Sequence, residues 1–375
     1  MDQDIGGGRL RIDLGAIAEN YRVLSARIGP AELGTVVKAN AYGLGAVQVA
    51  LALSDAGCRS FFVAHLAEAL SLDSVLPRDV RLFLLNGLAP GAEAACAATR
   101  IIPVLNSIEQ ARDWRGAAEA AGRRLPAALQ LDTGMARLGL SAEDFSSLSE
   151  DAAFASFVDL QMVMSHLACA DSPSHPVNNA QLVRFEAMAA HFPKVPRSLA
   201  NSGGAFLASG FRGDLVRAGI ALLGGAPNAK RPTPMKPVVA LEGRVIQVRS
   251  IGVGSGVGYG HEYSARRDSF IATIGVGYGD GLPRSLGNRG AAWFGGARLP
   301  IVGRVSMDSL SIDVTDLPSD ALRAGDWVEL IGPHQPIDAL AEDAGTISYE
   351  ILTSLGARYE RSYIGAASVS GLVTP

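Results

Sequence analysis

The sequence predicts an α/β protein, a (β/α)8 TIM-type barrel followed by a mostly antiparallel β domain, and three observations carry that expectation. Between residues 34 and 224 short β-branched runs alternate with longer Ala/Leu/Glu-rich segments, the pattern of parallel strands joined by helices. After Gly225 the stretch APNAKRPTPMKPV, rich in proline and lysine, interrupts the alternation. From Val238 onward, apolar alternation in VVALEGRVIQVRSI and FIATIGVG is punctuated by Gly, Asp and Pro turns, as in antiparallel sheet.

The candidate barrel strands, in order, are Thr35–Ala39, Ser60–Ala64, Val80–Leu85, Ile101–Leu105, Ala127–Leu131, Leu160–Ser165, Arg197–Ala200 and Leu215–Arg217. Helical stretches such as Ala46–Ala56, Ile108–Ala121 and Val177–Ala190 separate them, with Gly57, Pro77, Pro90 and Gly122 as punctuation. Eight such units over about 200 residues fit a closed barrel better than an open doubly wound sheet. The carboxyl-terminal part adds RLPIVGRVSMDSLSIDV and DWVELIG as strands, with short helices expected near Ile337–Glu342 and through Tyr349–Leu355.

Composition narrows the function classes. The chain has 375 residues, 48% hydrophobic and 19% charged, which suits an ordinary globular protein of two domains. Its net charge of −4, from 33 basic and 37 acidic residues without a long run of either sign, offers no nucleic-acid footprint. No apolar run approaches the roughly 20 residues that span a bilayer. The acidic, glycine-rich start MDQDIGGGRL is not a secretory signal, so the expected location is the cytoplasm. Cys58, Cys96 and Cys169 are far apart and in apolar surroundings, and read as buried thiols rather than as a metal site or disulfide framework.

The most informative segment is TVVKANAYGLG, 35–45, where an apolar strand ends on one lysine and meets a Tyr-Gly turn. An amine at a strand's carboxyl end, where barrels gather their functional groups, suits a Schiff base to a cofactor aldehyde; the bland reading of Lys38 is a strand cap. The other strand ends present His65, Asn86, Asn106, Asp132, His166, Asn201 with Ser202, and Arg217 with Gly219. Ser202, Gly203 and Gly204 precede a helical AFLAS and, with Gly219 and Ile220 after the eighth strand, could cradle a phosphate. An N-cap serine is the alternative for Ser202.

RIDLGAIAEN, VVKANAYGLG, LDTGMARLG, MSHLACAD, LANSGG, VRAGIALLG, VGYGDGLPR, VGRVSMD and TISYEI, in that order, span nearly the whole chain. Through them it resembles the alanine racemases, fold-type III isomerases that use pyridoxal 5′-phosphate. The resemblance implies that Lys38 carries the cofactor and is the acid/base for one face of the substrate, while Tyr278, from the other subunit, serves the opposite face. A tyrosine ordinarily keeps its proton to about pH 10, and the resemblance supplies a relay from it to His166 and Arg217. It further implies phosphate contacts at Tyr42, Ser202, Gly219, Ile220 and Tyr349. Arg137 would touch the cofactor's phenolic oxygen and the substrate carboxylate, and the partner chain's Met307 would offer its N–H to that carboxylate. Arg217, which can only donate, would face an unprotonated pyridine nitrogen and leave a weaker electron sink. Asp308 would support its loop.

The implied protein is a homodimer with shared active sites, supplying D-alanine, a peptidoglycan precursor, or consuming it. Its organisation would be a cofactor-binding barrel over 10–228, a linker over 229–236 and a β domain over 237–375 on which the extreme amino terminus packs. No metal, nucleic acid or membrane is implied. Two positions depart from the family pattern: Gln130 stands where many members have a lysine that orients the arginine, and Leu44 replaces a usual histidine. The rival readings are a racemase of another small amino acid such as serine, a decarboxylase of related architecture, and a cofactor carrier without catalysis.

Overall fold

The computed structural model describes residues 6–228 and 233–365. It divides into two compact units: Ile17–Leu222 with Ala226–Met235, and Met1–Ala16 with Leu223–Gly225 and Lys236–Pro375, each in its described part. Of the expected linker, residues 229–232 lie outside the described residues, as do residues 1–5 of the amino terminus. No helix among the described residues is long and apolar enough to cross a membrane.

The chain opens with β1 (Gly8–Asp13) and α1 (Leu14–Ile28). The first unit then places β2 (Glu32–Val36), β3 (Ser60–Val63), β4 (Arg81–Leu84), β5 (Ile102–Leu105), β6 (Leu125–Gln130), β7 (Val158–Met164), β8 (Arg197–Ser198) and β9 (Leu215–Ala218) in one sheet, ordered β8-β7-β6-β5-β4-β3-β2-β9. Every ladder is parallel. Single bonds draw β8 to β9: Arg217 N–H donates to the Ala200 carbonyl at 3.0 Å and the Ser198 hydroxyl to the Leu215 carbonyl at 2.6 Å. The helices between strands are α2 (Lys38–Tyr42), α3 (Ala46–Asp55), α4 (Leu66–Asp73), α5 (Glu93–Ala97), α6 (Ile108–Ala120), α7 (Ala142–Ser149), α8 (Ala152–Phe157) and α9 (Pro176–Ala189). The result is a nearly closed (β/α)8 barrel.

Phe62 and Phe83 stack at 4.7 Å among Ile102, Val104, Met162, Met164 and Leu215. Each large side chain buried there contributes about 1.5–3 kcal/mol, so the barrel wall is a firm support for the groups at its strand ends.

Two expected elements differ. The first barrel strand stops at Val36 instead of Ala39, because residues 39–42 take up left-handed dihedrals that an extended ladder cannot include. AFLAS is not a helix but a single 3₁₀ turn, Gly204–Phe206, since the glycines at 203, 204 and 210 raise the cost of a continuous helix.

In the second unit β10 (Val239–Ile251) is the spine. Its first half pairs antiparallel with β1 and with β17 (Trp327–Ile331), and its second half with β13 (Ser269–Ile274). The remaining strands are β11 (Gly256–Val257), β12 (Tyr263–Ser264), β14 (Ala291–Phe294), β15 (Ala297–Pro300), β16 (Leu310–Asp313) and β18 (Glu360–Ile364). Among the described residues of this unit only β1 and β18 run parallel. The two expected helices are α10 (Ile337–Ala344) and α11 (Ser348–Ser354).

Candidate active site

Register brings the candidate groups together. Thr35 pairs with Ala218, so Lys38 emerges beside the end of β9, while Val163 pairs with Arg197 and sets His166 beside Asn201. The carboxyl ends of β7, β8, β9 and β2 therefore form one continuous arc carrying His166, Asn201, Ser202, Arg217, Gly219 and Lys38.

Lys38 is followed by four L-residues with positive φ: Ala39 at 51°, Asn40 at 55°, Ala41 at 52° and Tyr42 at 55°, then Gly43 at 85°. This is one turn of left-handed helix, closed by Gly43 N–H to the Ala39 carbonyl at 2.8 Å and Gly45 N–H to the Asn40 carbonyl at 2.9 Å. Such a conformation costs roughly 1–2 kcal/mol per non-glycine residue, and backbone of this kind concentrates at functional sites. Burial, and then the charge of Arg137, hold the Lys38 amine below its ordinary pKa, against an opposing pull from Glu68. A neutral amine is the nucleophile that attack on an aldehyde requires.

Arg217 is fully buried, and no ion pair among the described residues includes it. Its Nη1 donates to the Ser198 carbonyl at 2.9 Å and hydroxyl at 2.6 Å. Its Nη2 donates to the Ser165 carbonyl at 2.6 Å and faces His166 Nδ1 at 3.3 Å, so that Nε–H has no acceptor among the described residues. Burial pushes the guanidinium down to about 9. On the other side of the imidazole, Asn201 Nδ2 lies 3.3 Å from Nε2, its Oδ1 being taken by the Gly204 N–H. A neutral ring accepts at only one of these nitrogens and carries its proton on the other. Burial, with the charges of Arg217, Arg137 and Lys38, drives the His166 pKa down to about 3, and the ring is neutral.

Ser202, Gly219, Ile220 and Tyr42 also converge. The Ser202 hydroxyl accepts from Gly219 N–H at 2.9 Å and Ala221 N–H at 3.4 Å, while a Cβ at Gly219 would collide with the Tyr42 hydroxyl. Ile220 is buried, and its N–H has no backbone partner among the described residues. Hydroxyls, backbone N–H donors and a glycine that permits close approach are what a phosphate needs. With an aldehyde-reactive amine and a buried donor-only arginine on the same arc, this set fits pyridoxal phosphate.

Arg137 is exposed, on a loop shaped by Asp132, whose Oδ1 accepts from the N–H groups of Gly134, Met135 and Ala136 at 2.9–3.2 Å. Burial of that carboxyl is outweighed by these donors, and its pKa lies below the ordinary value. Gln130 does not leave the loop unsupported: its Nε2 donates to the Leu138 carbonyl at 3.2 Å. Leu44 is fully buried. His65, Asn86 and Asn106 stand outside this arc; the Asn106 amide is spent on the Leu85 and Val104 carbonyls. Cys58 and Cys96 are buried, with pKa raised by burial to about 11, but Cys169 is only half-buried, unlike the expectation.

Tyr278, Met307 and Tyr349 belong to the second unit. Tyr278 is not a core aromatic: it is 42% exposed and lines an open cleft of about 380 Å³. Its loop is clasped to that of Met307 by Tyr278 N–H to the Ser306 carbonyl at 3.0 Å and Gly279 N–H to the Met307 carbonyl at 2.8 Å. Arg358 staples both, donating from Nε to Asp280 and from Nη1 to Asp308, each at 2.7 Å. The Met307 N–H has no backbone partner among the described residues. Tyr349 lies half-exposed on α11.

Residues 12–227 match the family described as alanine racemase, N-terminal domain, and residues 238–363 match alanine racemase, C-terminal domain. The chain belongs to the alanine racemase family. It is 53% identical over 364 residues to the catabolic alanine racemase of Agrobacterium fabrum, and 52% identical over 371 residues to the alanine racemase of Brucella abortus, in each case covering 96% of this chain and 94% of the relative. Among solved alanine racemases, that of Bartonella henselae with covalently bound pyridoxal phosphate superposes with a TM-score of 0.92 at 48% identity, covering 96% and 99% of the two chains. The biosynthetic alanine racemase of Pseudomonas aeruginosa gives 0.89 at 34%, covering 96% and 100%.

Sequence reasoning missed three supporting residues of this racemase. Gln181, fully buried, donates to the His166 carbonyl at 2.8 Å and accepts from Ala168 N–H at 2.9 Å, fixing the chain around the histidine. Arg358 carries no motif, because its partners are distant in sequence. Glu68, three residues after the N-cap His65, has the spacing of a capping box and could have been found by it.

Proposed function

We propose that the protein interconverts L-alanine and D-alanine by two-base proton transfer on pyridoxal 5′-phosphate, as a cytoplasmic homodimer whose active sites take groups from both chains. The observation that carries this reading is the arc of Lys38, His166, Arg217, Ser202 and Gly219 at four adjacent strand ends, in a chain of the alanine racemase family.

Pyridoxal phosphate, when bound, supplies an electron sink for the pair left on the substrate's α-carbon. Tyr42 and Ser202, through their hydroxyls, and Ile220, through its N–H, would hold the phosphate beside Gly219. Lys38, whose amine burial holds below its ordinary pKa, would hold the cofactor through Nζ and, once the substrate's amine has displaced it there, would move a proton at Nζ on one face of the α-carbon. The partner's Tyr278 moves a proton at Oη on the other face, which inversion of either enantiomer requires. His166 and Arg217 would continue the hydrogen-bond chain behind that hydroxyl, and Arg217 would offer a donor to the pyridine nitrogen. Arg137 and the partner's Met307 N–H orient the substrate carboxylate. The exposure of Tyr278 and Met307 on clasped loops supports their delivery to another chain.

The test is incubation of the purified protein, with pyridoxal phosphate, on L-alanine and in parallel on L-serine, followed by chiral analysis. D-alanine formation faster than D-serine formation supports the reading. Preference for serine would make it a racemase of another small amino acid, and no inversion of either would contradict it.

A further inference from the structure

Glu68 caps α4 with one carboxylate oxygen and does something else with the other. Its Oε2 accepts from Ala64 N–H at 2.8 Å and His65 N–H at 2.9 Å, the ordinary task of an acidic side chain in a helix's first turn. Its Oε1 reaches across to the neighbouring strand end and accepts from Ala39 N–H at 2.6 Å. Ala39 is the first residue of the left-handed turn and the immediate neighbour of Lys38. A helix cap needs one oxygen; the second bond joins the exit of β3 to the first strained residue after Lys38. We infer that Glu68 is a positioning residue for Lys38, acting by pinning the left-handed turn at Ala39 and so fixing the direction in which the amine is presented. Charge-assisted acceptance from a backbone N–H is among the stronger hydrogen bonds available for such a task, and the turn needs one because Ala39, Asn40, Ala41 and Tyr42 would otherwise favour right-handed or extended backbone.

The inference rests on the reading of Lys38 as the cofactor-bearing amine, and its test keeps the two apart. Glu68→Ala and Glu68→Gln are compared with the native chain in two ways: by hydrogen exchange of the 37–45 backbone in the cofactor-free protein, and by kcat/KM with the rate at which lysine-bound pyridoxal phosphate is lost on dialysis. Faster exchange over 37–45, with kcat/KM lowered about tenfold to a hundredfold and faster cofactor loss, is the expected result. Ala39→Gly placed in the Glu68→Ala chain should recover most of the lost activity, because glycine adopts positive φ without the steric cost. A defect that Ala39→Gly leaves untouched, or exchange identical to the native chain, would overturn the positioning role and leave Glu68 a helix cap. A native chain that forms no bond between Lys38 and pyridoxal phosphate would overturn the Lys38 reading and this inference with it.

Discussion

His166 is kept neutral by burial among the charges of Arg217, Arg137 and Lys38, with one ring nitrogen carrying its proton and the other free to accept. The consequence for stability follows from the direction of the shift. A histidine whose folded pKa is about 3, against an ordinary 6.5, leaves the unfolded chain to take up a proton first as pH falls. The contribution is complete above about pH 6.5 and is lost progressively towards pH 3, at a slope of up to ~1.4 kcal/mol per pH unit. His166→Gln should therefore lose less stability than the native chain between pH 6.5 and pH 4, as measured by urea unfolding of the cofactor-free protein. Gln130 yields a second prediction at this scale. Its one bond to the Arg137 loop is a neutral hydrogen bond to the Leu138 carbonyl, worth about 0.5–1.5 kcal/mol. Gln130→Met should raise KM for alanine about twofold to tenfold with a smaller change in kcat, and steady-state kinetics would read it directly.

The element that matters most is the left-handed turn after β2. Ala39 is exposed, so a larger side chain there meets no crowded core, and the cost of substitution is conformational. Ala39→Val should destabilise the cofactor-free protein by about 2 kcal/mol or more, since a β-branched residue tolerates positive φ poorly; the urea midpoint checks it. This turn also shows what could be read from the chain and what could not. Seven barrel strands were placed within about two residues by β-branched runs and Gly/Pro punctuation, because parallel strands buried on both faces announce themselves as continuous apolar sequence. VVKANAY continues that apolar character past Lys38, so alternation alone carries the strand to Ala39; the dihedrals that end it depend on bonds to Phe62, Glu68 and the loop itself. The site was legible by ordered motifs at strand ends, and Glu68 by its capping-box spacing, whereas Gln181 and Arg358 were not. Gln181 acts through the backbone of His166 and Ala168, and Arg358 through the Asp280 and Asp308 carboxylates, groups that only folding brings near.

At the scale of the whole molecule, the chain keeps its proposed proton-transfer groups on two compact units, with Lys38 and His166 on the barrel and Tyr278 on the sheet. If two chains complete each site, variants defective in different groups should complement each other. Mixing Lys38→Ala with Tyr278→Phe, each nearly inactive, and allowing subunits to exchange should restore about a quarter of native activity, because half the dimers would be mixed and each would hold one intact site of two. Activity that stays at the level of the separate variants would place both groups on one chain.

The two-base inversion itself is tested most directly by running the native holoenzyme on L-alanine in deuterated water and measuring chirality and α-deuterium in the product. The account predicts D-alanine carrying α-deuterium, and predicts that Tyr278→Phe exchanges the α-hydrogen of the enantiomer facing Lys38 without inverting it. D-alanine formed with its original α-hydrogen fully retained, or inversion undiminished in Tyr278→Phe, would contradict it.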